Sequence, residues 1–303
     1  MDEIDIKIIL LLQNNSRLSY REISDHLGLS INAIYKRIQL LIDLRIIEKF
    51  TARLKPYAIN AIYAFIFGQS ESEHIDSLIP ELGKHDNTWQ IILSSRNYMY
   101  IGAMLENIHQ LDEFSSFVSK TAQINSPKVG LLSGVQYTAP IPYIVPKSRT
   151  MHYDKLDKEI IRSLHKDSRK PISEVAEEVS STPNTIRRRL TRMIEEGIIE
   201  LSIDFNPEES NDSFALFQIN IDPSVNKNEF AEYLNEKFHP NLFYCWTFSN
   251  LPNLILCFVW ANTMKELTGL VEKIKKEKVN SILFDILYKV YYFDTWKESM
   301  LYK

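Results

Sequence analysis

The chain has 303 residues, of which 45% are hydrophobic and 24% charged, with a formal net charge of −4. That length predicts several compact units, each with a modest core, and the composition is that expected of an ordinary soluble globular protein. Two cysteines exclude a disulfide framework and a thiolate metal centre, and the negative net charge excludes a non-specific nucleic-acid coat.

No apolar run reaches the ~18 residues of a membrane span. The acidic opening "MDEIDIKIILLLQNN" is followed by no small-residue cleavage site. A cytoplasmic protein without a membrane partner is therefore expected. The seven histidines include no pair at helical ligand spacing, so no metal and no other cofactor is expected.

Residues 1–57 read as a helical unit. Ile4, Ile8, Leu11 and Leu12 share one helical face. Ser19 with Glu22 predicts a capping box for a short second helix, Gly28 a turn, and Ser30 the cap of a third helix that turns Ile34, Ile38 and Leu41 inward. Such a set is a helix-turn-helix, and the β-like "RIIEKFTARL" after it would add a wing.

Residues 58–139 change grammar. Strand-like "AIYAFIFG", "TWQIILSS", "YMYIGAMLE" and "SPKVGLLSGVQYT" and helix-like "SEHIDSLIPELGKH" and "IHQLDEFSSFVSKTA" come in the order β-α-β-β-α-β, the ferredoxin-like plan. A Pro-rich linker at 140–153 follows, held extended by Pro140, Pro142 and Pro146.

Residues 154–208 repeat the helical unit. Leu156, Ile160 and Leu164 form its first face, Thr182 caps its third helix ahead of Pro183, and Ile186, Leu190 and Met193 point inward. Ser180 stands where Gly28 makes the turn, a place that often needs left-handed backbone. Residues 209–297 repeat β-α-β-β-α-β, from "FALFQINID" to "VNSILFDILYKVYYF".

Shifted by 152 positions, the two helical units align without a gap, keeping Asp5/Asp157, Arg17/Arg169, Asn32/Asn184 and Arg37/Arg189 among the identities. The expected fold class is α+β, a tandem repeat of a winged helix-turn-helix domain followed by a ferredoxin-like β-α-β-β-α-β domain.

The stretches "IDIKIILLLQNNSRLSYREISDHLGLSINAIYKRIQLL" and "LDKEIIRSLHKDSRKPISEVAEEVSSTPNTIRRRLTRM" resemble the Lrp/AsnC (feast/famine) family of transcription regulators. In that family a winged helix-turn-helix precedes a ferredoxin-like effector and oligomerisation (RAM-type) domain. Ordinary members carry one copy and dimerise, so the chain resembles a fused pseudo-dimer. The resemblance implies double-stranded DNA as partner, a small-molecule effector, and a homo-oligomer formed through the ferredoxin-like domains.

Within "STPNTIRRRLTR", Ser181 to Arg192, there are four arginines and no acid. Asn184, Thr185, Arg188 and Arg192 form one stripe opposite the core side, flanked by Arg187 and Arg189. A major groove admits such a helix: Arg bonds guanine bidentately, Asn bonds adenine, and flanking Arg meets phosphate. With no acid at i±4 before Glu195 and Glu196, the stripe reads as unpaired charge awaiting a polyanion. The first copy sets Asn32, Ala33 and Lys36 on the same stripe, flanked by Tyr35 and Arg37, with Leu40 in place of Arg192; its wing adds Lys49, Arg53 and Lys55. For the effector, the polar turns Ser95, Arg96, Asn97 and Ser249, Asn250, Asn253 are the candidates. The aromatic residues of the neighbouring strands read as core or interface.

Two rival readings remain. Siroheme decarboxylases share this two-part architecture, but use His and Arg around a tetrapyrrole, whereas "WQIILSSRNYMY" and "FYCWTFSNLPNL" hold no histidine and only Arg96. With no phosphate loop and no nucleophile elbow, the chain is expected not to be an enzyme. The other rival makes the helix-turn-helix units protein-docking modules, whose binding would be indifferent to phosphate.

Overall fold

The computed structural model describes residues 1–136 and 152–302. Most of the expected Pro-rich linker, 140–151, lies outside them. In chain order the first elements are α1 (Glu3–Asn14), α2 (Tyr20–Leu27), α3 (Ile31–Asp43) and β1 (Ile47–Leu54). Then come β2 (Ile62–Gln69), α4 (Ile79–Gly83), β3 (Thr88–Ser94), β4 (Tyr98–Leu105), α5 (Gln110–Thr121) and β5 (Lys128–Gln136). The second half repeats the order with α6 (Lys155–Leu164), α7 (Ile172–Glu178), α8 (Pro183–Glu195) and β6 (Ile199–Phe205). It continues with β7 (Ser213–Ile221), α9 (Lys227–Lys237), β8 (Leu242–Phe248), β9 (Leu254–Ala261), α10 (Met264–Ile274), β10 (Val279–Tyr292) and a short α11 (Trp296–Ser299).

These elements sort into two compact units, each assembled from both halves of the chain. One holds the helix-turn-helix elements of both copies, with α11, and the other holds both β-α-β-β-α-β segments.

In the helical unit the ends of the helices follow local chemistry. Ser19 Oγ accepts from Glu22 N at 3.2 Å while Glu22 accepts from Ser19 N at 2.8 Å, and Gly28 closes α2 at φ 66°. Ser30 caps α3, and Thr182 caps α8 ahead of Pro183. Ser180 does adopt the left-handed region, at φ 50°, where a Cβ costs about 1–2 kcal/mol. Ile160, Leu164, Val175, Ile186, Leu190 and Met193 make one buried core together with Ala52 and Leu54 of β1.

The strands expected as wings pair with each other. β1 and β6 form a two-stranded antiparallel sheet in which Phe50 faces Ile203 and Thr51 faces Ser202. Residues related by the repeat therefore sit around the middle of this ladder, and strands from both copies share one core. Beside it, the hydroxyls of Ser16 and Ser168 meet at 2.6 Å.

The other unit is a closed eight-stranded barrel in the order β10-β3-β4-β2-β5-β8-β9-β7. Within each half the order is that of a split βαβ sheet, and the halves are joined by β5–β8 and β10–β3. Each sheet packs one face on its own helices: Ile66, Ile91, Ile101, Phe114 and Val118 form one core, and Phe217, Leu234, Ile255, Leu267 and Ile274 the other. The opposite faces meet across the halves, with Phe65 against Trp246 at 5.4 Å and Phe67 against Phe248 at 6.3 Å. A Cβ at Gly130 would lie 2.5 Å from the Phe248 ring, so this junction requires glycine. The helix expected over "SEHIDSLIPELGKH" is broken into a 3-10 turn, Ile75–Leu78, and α4, because Pro80 has no N–H to continue a single helix.

Candidate functional site

Burial of Ile186, Leu190 and Met193 fixes the outward face of α8. Asn184, Arg187 and Arg188 are exposed and Thr185 is half-buried. Arg187 Nη1 donates to Asn184 Oδ1 at 3.2 Å, one turn back. Among the described residues Arg188 makes no ion pair.

The other two arginines of the helix are engaged. Arg189 Nη1 lies 2.7 Å from Asp154 Oδ1 and 3.0 Å from Asp157 Oδ1, and Arg192 Nη2 lies 2.6 Å from Asp157 Oδ2. Arg192 Nη1 also donates to Glu196 at 3.2 Å and to the His152 carbonyl at 2.9 Å. Hydrogen bonds to Asp154 and Asp157 raise the Arg189 pKa, and the same guanidinium holds Asp154 below the usual carboxylate range. The expectation of a wholly unpaired stripe is thus corrected. Apart from Glu196, at i+4 from Arg192, its acids are Asp154, the N-cap of α6, and Asp157 in its first turn, beyond the reach of i±4 spacing. Arg189 and Arg192 clamp α8 to α6, which leaves Arg187 and Arg188 as the cations of α8 without a carboxylate partner among the described residues.

The same clamp recurs in the first copy, where Arg37 Nη1 meets Asp5 Oδ1 at 2.7 Å. Both Asp/Arg pairs are separated by 32 positions. Asp5, Asp157, Arg37 and Arg189 are among the identities between the copies, and that recurrence was the signal that acid and arginine belong together. On α3, Asn32, Tyr35 and Lys36 are exposed and Ala33 is half-buried. Tyr35 packs edge-on against Tyr20 at 5.4 Å, and Ile31 and Leu40 of the same helix are 48% and 55% exposed. The face of α3 is therefore more apolar than that of α8.

Of the wing cations, Arg53 is already paired. Arg53 Nη2 lies 3.0 Å from Asp204 Oδ1 in the β1–β6 sheet. Burial depresses the Arg53 pKa, but Asp204, Glu200 and Glu298 outweigh it and leave the pKa raised. Burial also lowers the pKa of Lys55. Arg53 is consequently a cross-strand partner of Asp204 rather than an exposed phosphate contact, because β1 pairs with β6 instead of projecting alone.

The polar turns expected to hold a ligand are engaged in joining the halves of the barrel. Ser95–Asn97 is a 3-10 turn with Arg96 at φ 62° and Asn97 at φ 55°. Ser95 Oγ accepts from Ile286 N at 3.0 Å, Asn97 Nδ2 donates to the Ser72 carbonyl at 3.0 Å, and Arg96 forms an ion pair with the fully buried Asp285. Asp285 also accepts from Tyr100 Oη at 3.0 Å, Gln218 Nε2 donates to Tyr100 Oη at 3.0 Å, and Lys128 Nζ donates to Gln218 Oε1 at 3.1 Å. Burial and the Asp285 charge both push the Tyr100 phenol upward, so it stays a donor. At the equivalent turn, Ser249 N donates to the Leu131 carbonyl, and Asn250 accepts from Leu131 N and donates to the Val129 carbonyl, each at 2.8 Å. The Asn253 carbonyl accepts from Ile221 N at 2.9 Å. Each turn grips a strand of the opposite half.

Residues 1–42 match the AsnC-type helix-turn-helix domain, and residues 153–200 match a winged helix-turn-helix DNA-binding domain. The HTH-type transcriptional regulator FL11 of Pyrococcus horikoshii is 31% identical over 120 residues, 39% of this chain and 80% of that protein. An uncharacterised HTH-type regulator of the same organism is 27% identical over 139 residues, 45% of this chain and 88% of its own length. Among solved structures, the siroheme decarboxylase NirDL superposes with a TM-score of 0.62 at 11% identity, covering 99% of this chain and 96% of its own. That likeness is one of fold, and it corrects the expectation that the chain is not an enzyme: the whole two-part architecture is one that also carries catalysis, so the lack of histidine in two strand segments excludes nothing. No helix among the described residues is long and apolar enough to cross a membrane. The paired helix-turn-helix units, the repeated β-α-β-β-α-β segments and the likeness to FL11 agree, and the chain belongs to the Lrp/AsnC family of DNA-binding transcription regulators.

Proposed function

We propose that this regulator reads double-stranded DNA as an intramolecular pseudo-dimer, with residues 1–57 and 154–208 as its two reading heads and residues 58–139 and 209–297 as its paired effector halves. The observation that carries the proposal is the division of the arginines on α8. Arg189 and Arg192 fix the helix, while Asn184, Thr185, Arg187 and Arg188 present hydrogen-bonding groups outward. In this reading Arg188 bonds a guanine edge and Arg187, flanking it, meets phosphate.

The contact of Ser16 with Ser168 and the β1–β6 ladder support the pairing of the two copies. The heads differ in chemistry. Where α8 has Arg188 and Arg192, α3 has Lys36 and Leu40. We therefore propose two non-identical half-sites and an operator that is not a palindrome. The proposal includes the effector and homo-oligomer implied by the family resemblance, with the effector placed away from the engaged turns. Selection of binding sites from random duplexes tests it: an asymmetric consensus with a steep salt dependence is expected. A perfectly symmetric consensus, or binding indifferent to salt, would overturn it.

The whole-chain likeness to NirDL favours a second reading, in which the chain acts on a tetrapyrrole. Absorbance near the Soret region after mixing with siroheme decides it, since an unchanged spectrum removes this reading.

A further inference from the structure

We propose that Cys245 and Cys257 are a modification site, at which a small uncharged hydroperoxide converts two thiols into a disulfide across strands β8 and β9 of the barrel. The two cysteines are direct partners in the antiparallel ladder, and their sulfurs are 3.1 Å apart. Both are fully buried, in an apolar cluster that includes Phe217, Leu242, Ile255 and Val259. A disulfide has its sulfurs about 2.05 Å apart, so closure needs an approach of only about 1 Å. The residues are separated by 12 positions on strands already paired, and no rearrangement of the chain has to precede bond formation.

The reaction balances with one equivalent of hydroperoxide. One sulfur, as thiolate, attacks the peroxide oxygen; the O–O bond breaks, an S–OH forms, and the departing hydroxide or alkoxide takes up the thiol proton. The second sulfur then attacks the first, the S–O bond breaks, and water leaves with the second proton. Two thiols are oxidised and one peroxide is reduced.

The surroundings set the kinetics. Burial and the neighbouring Cys245 push the Cys257 thiol well up, so thiolate is scarce and the forward step is slow. Only a small neutral oxidant enters such a cluster, and a protein reductant is excluded from it. The product, once formed, persists. It ties β9 to β8, the strand in which Cys245 also faces Gln136 of β5 at the joint between the halves.

The test treats the full chain with hydrogen peroxide in native buffer. The expected result is a mass lower by two hydrogen atoms, a non-reducing peptide map linking Cys245 to Cys257, and no titratable thiol after unfolding. The thermal midpoint of the barrel should rise by about 5 °C. Cys245→Ala and Cys257→Ala should each lose the link and the shift. Two free thiols after treatment, oxygen adducts without a link, or a link formed only in denaturant would each overturn the proposal.

Discussion

Ser16 and Ser168 lie 152 positions apart in the chain, and their hydroxyl oxygens are 2.6 Å apart. The same offset aligns the two helical units, so the contact joins a residue to its own counterpart and marks a local twofold axis. Arg17 and Arg169, the next residues, cross that axis in opposite directions. Arg17 donates to the carbonyls of Ser168 and Lys170, and Arg169 to those of Ser16 and Leu18. Backbone carbonyls of each copy are thus satisfied by a guanidinium of the other, within one compact unit.

Arg169 offers the sharper test of that exchange. Its guanidinium stacks 4.4 Å from the Phe50 ring centroid while donating to Ser16 O at 2.7 Å and Leu18 O at 3.1 Å. Arg169→Ala strands those carbonyls and should lower stability by about 2–3 kcal/mol. Arg169→Lys should recover less than half, because an ammonium has no planar fork to span both acceptors. Urea unfolding measures both; full rescue by lysine would show that charge alone matters.

On α8, neighbouring arginines should separate binding from stability. Arg188→Ala should cost about 1–3 kcal/mol of affinity for the selected operator and leave the thermal midpoint unchanged. Arg189→Ala removes part of the clamp on Asp157, whose carboxylate is buried, and should cost about 1–2 kcal/mol of stability even without DNA. Arg187→Ala should flatten the salt slope by about one unit across all sequences. Equal losses of affinity without loss of stability for Arg188 and Arg189 would mean that the clamp opens when DNA binds.

What the sequence disclosed, and what it hid, divides by distance along the chain. The caps at Ser19, Ser30 and Thr182, the left-handed turn at Gly28 and Ser180, and the order β-α-β-β-α-β depend on neighbours a few residues away, and all are legible. The partner of Arg53 is 151 positions off and that of Arg96 is 189 positions off. No local pattern reports such pairs. Pairing of β1 with β6 turned a supposed wing cation into a cross-strand partner, and closure of the barrel turned two polar turns into joints. Only the Asp5–Arg37 and Asp157–Arg189 clamps were visible in principle, through their recurrence in both copies.

Glu208 carries a pH dependence of unusual sign. Burial raises its pKa above the ordinary 4.5, although backbone N–H groups of Glu208 and Val290 oppose the shift, and its Oε2 has no hydrogen-bond partner. Between pH 4.5 and the raised folded value, the folded chain holds a proton that the unfolded chain has lost. Stability contributed by this group therefore falls as pH rises through that window and stays low above it. Glu208→Gln should raise the thermal midpoint at pH 7.5 and leave it unchanged at pH 4, as read by scanning fluorimetry at both values. A loss at pH 7.5 would mean that the ionised carboxylate has a stabilising partner.

The ion pair of Arg96 with Asp285 should be strongly coupled despite the 60% exposure of the arginine side chain, because the aspartate is completely buried. Removing Arg96 leaves Asp285 with Tyr100 as donor, and removing the charge of Asp285 leaves Arg96 in a left-handed turn without its anchor. Arg96→Ala keeps a Cβ at that φ and so leaves backbone strain unchanged, which Gly would not. Each of Arg96→Ala and Asp285→Asn should cost about 1–3 kcal/mol, and the double variant should fall short of their sum by about 1–2 kcal/mol. Tryptophan fluorescence during chemical unfolding reads the cycle. Strict additivity would show that solvent screens the guanidinium fully and that Tyr100 alone satisfies the buried carboxylate.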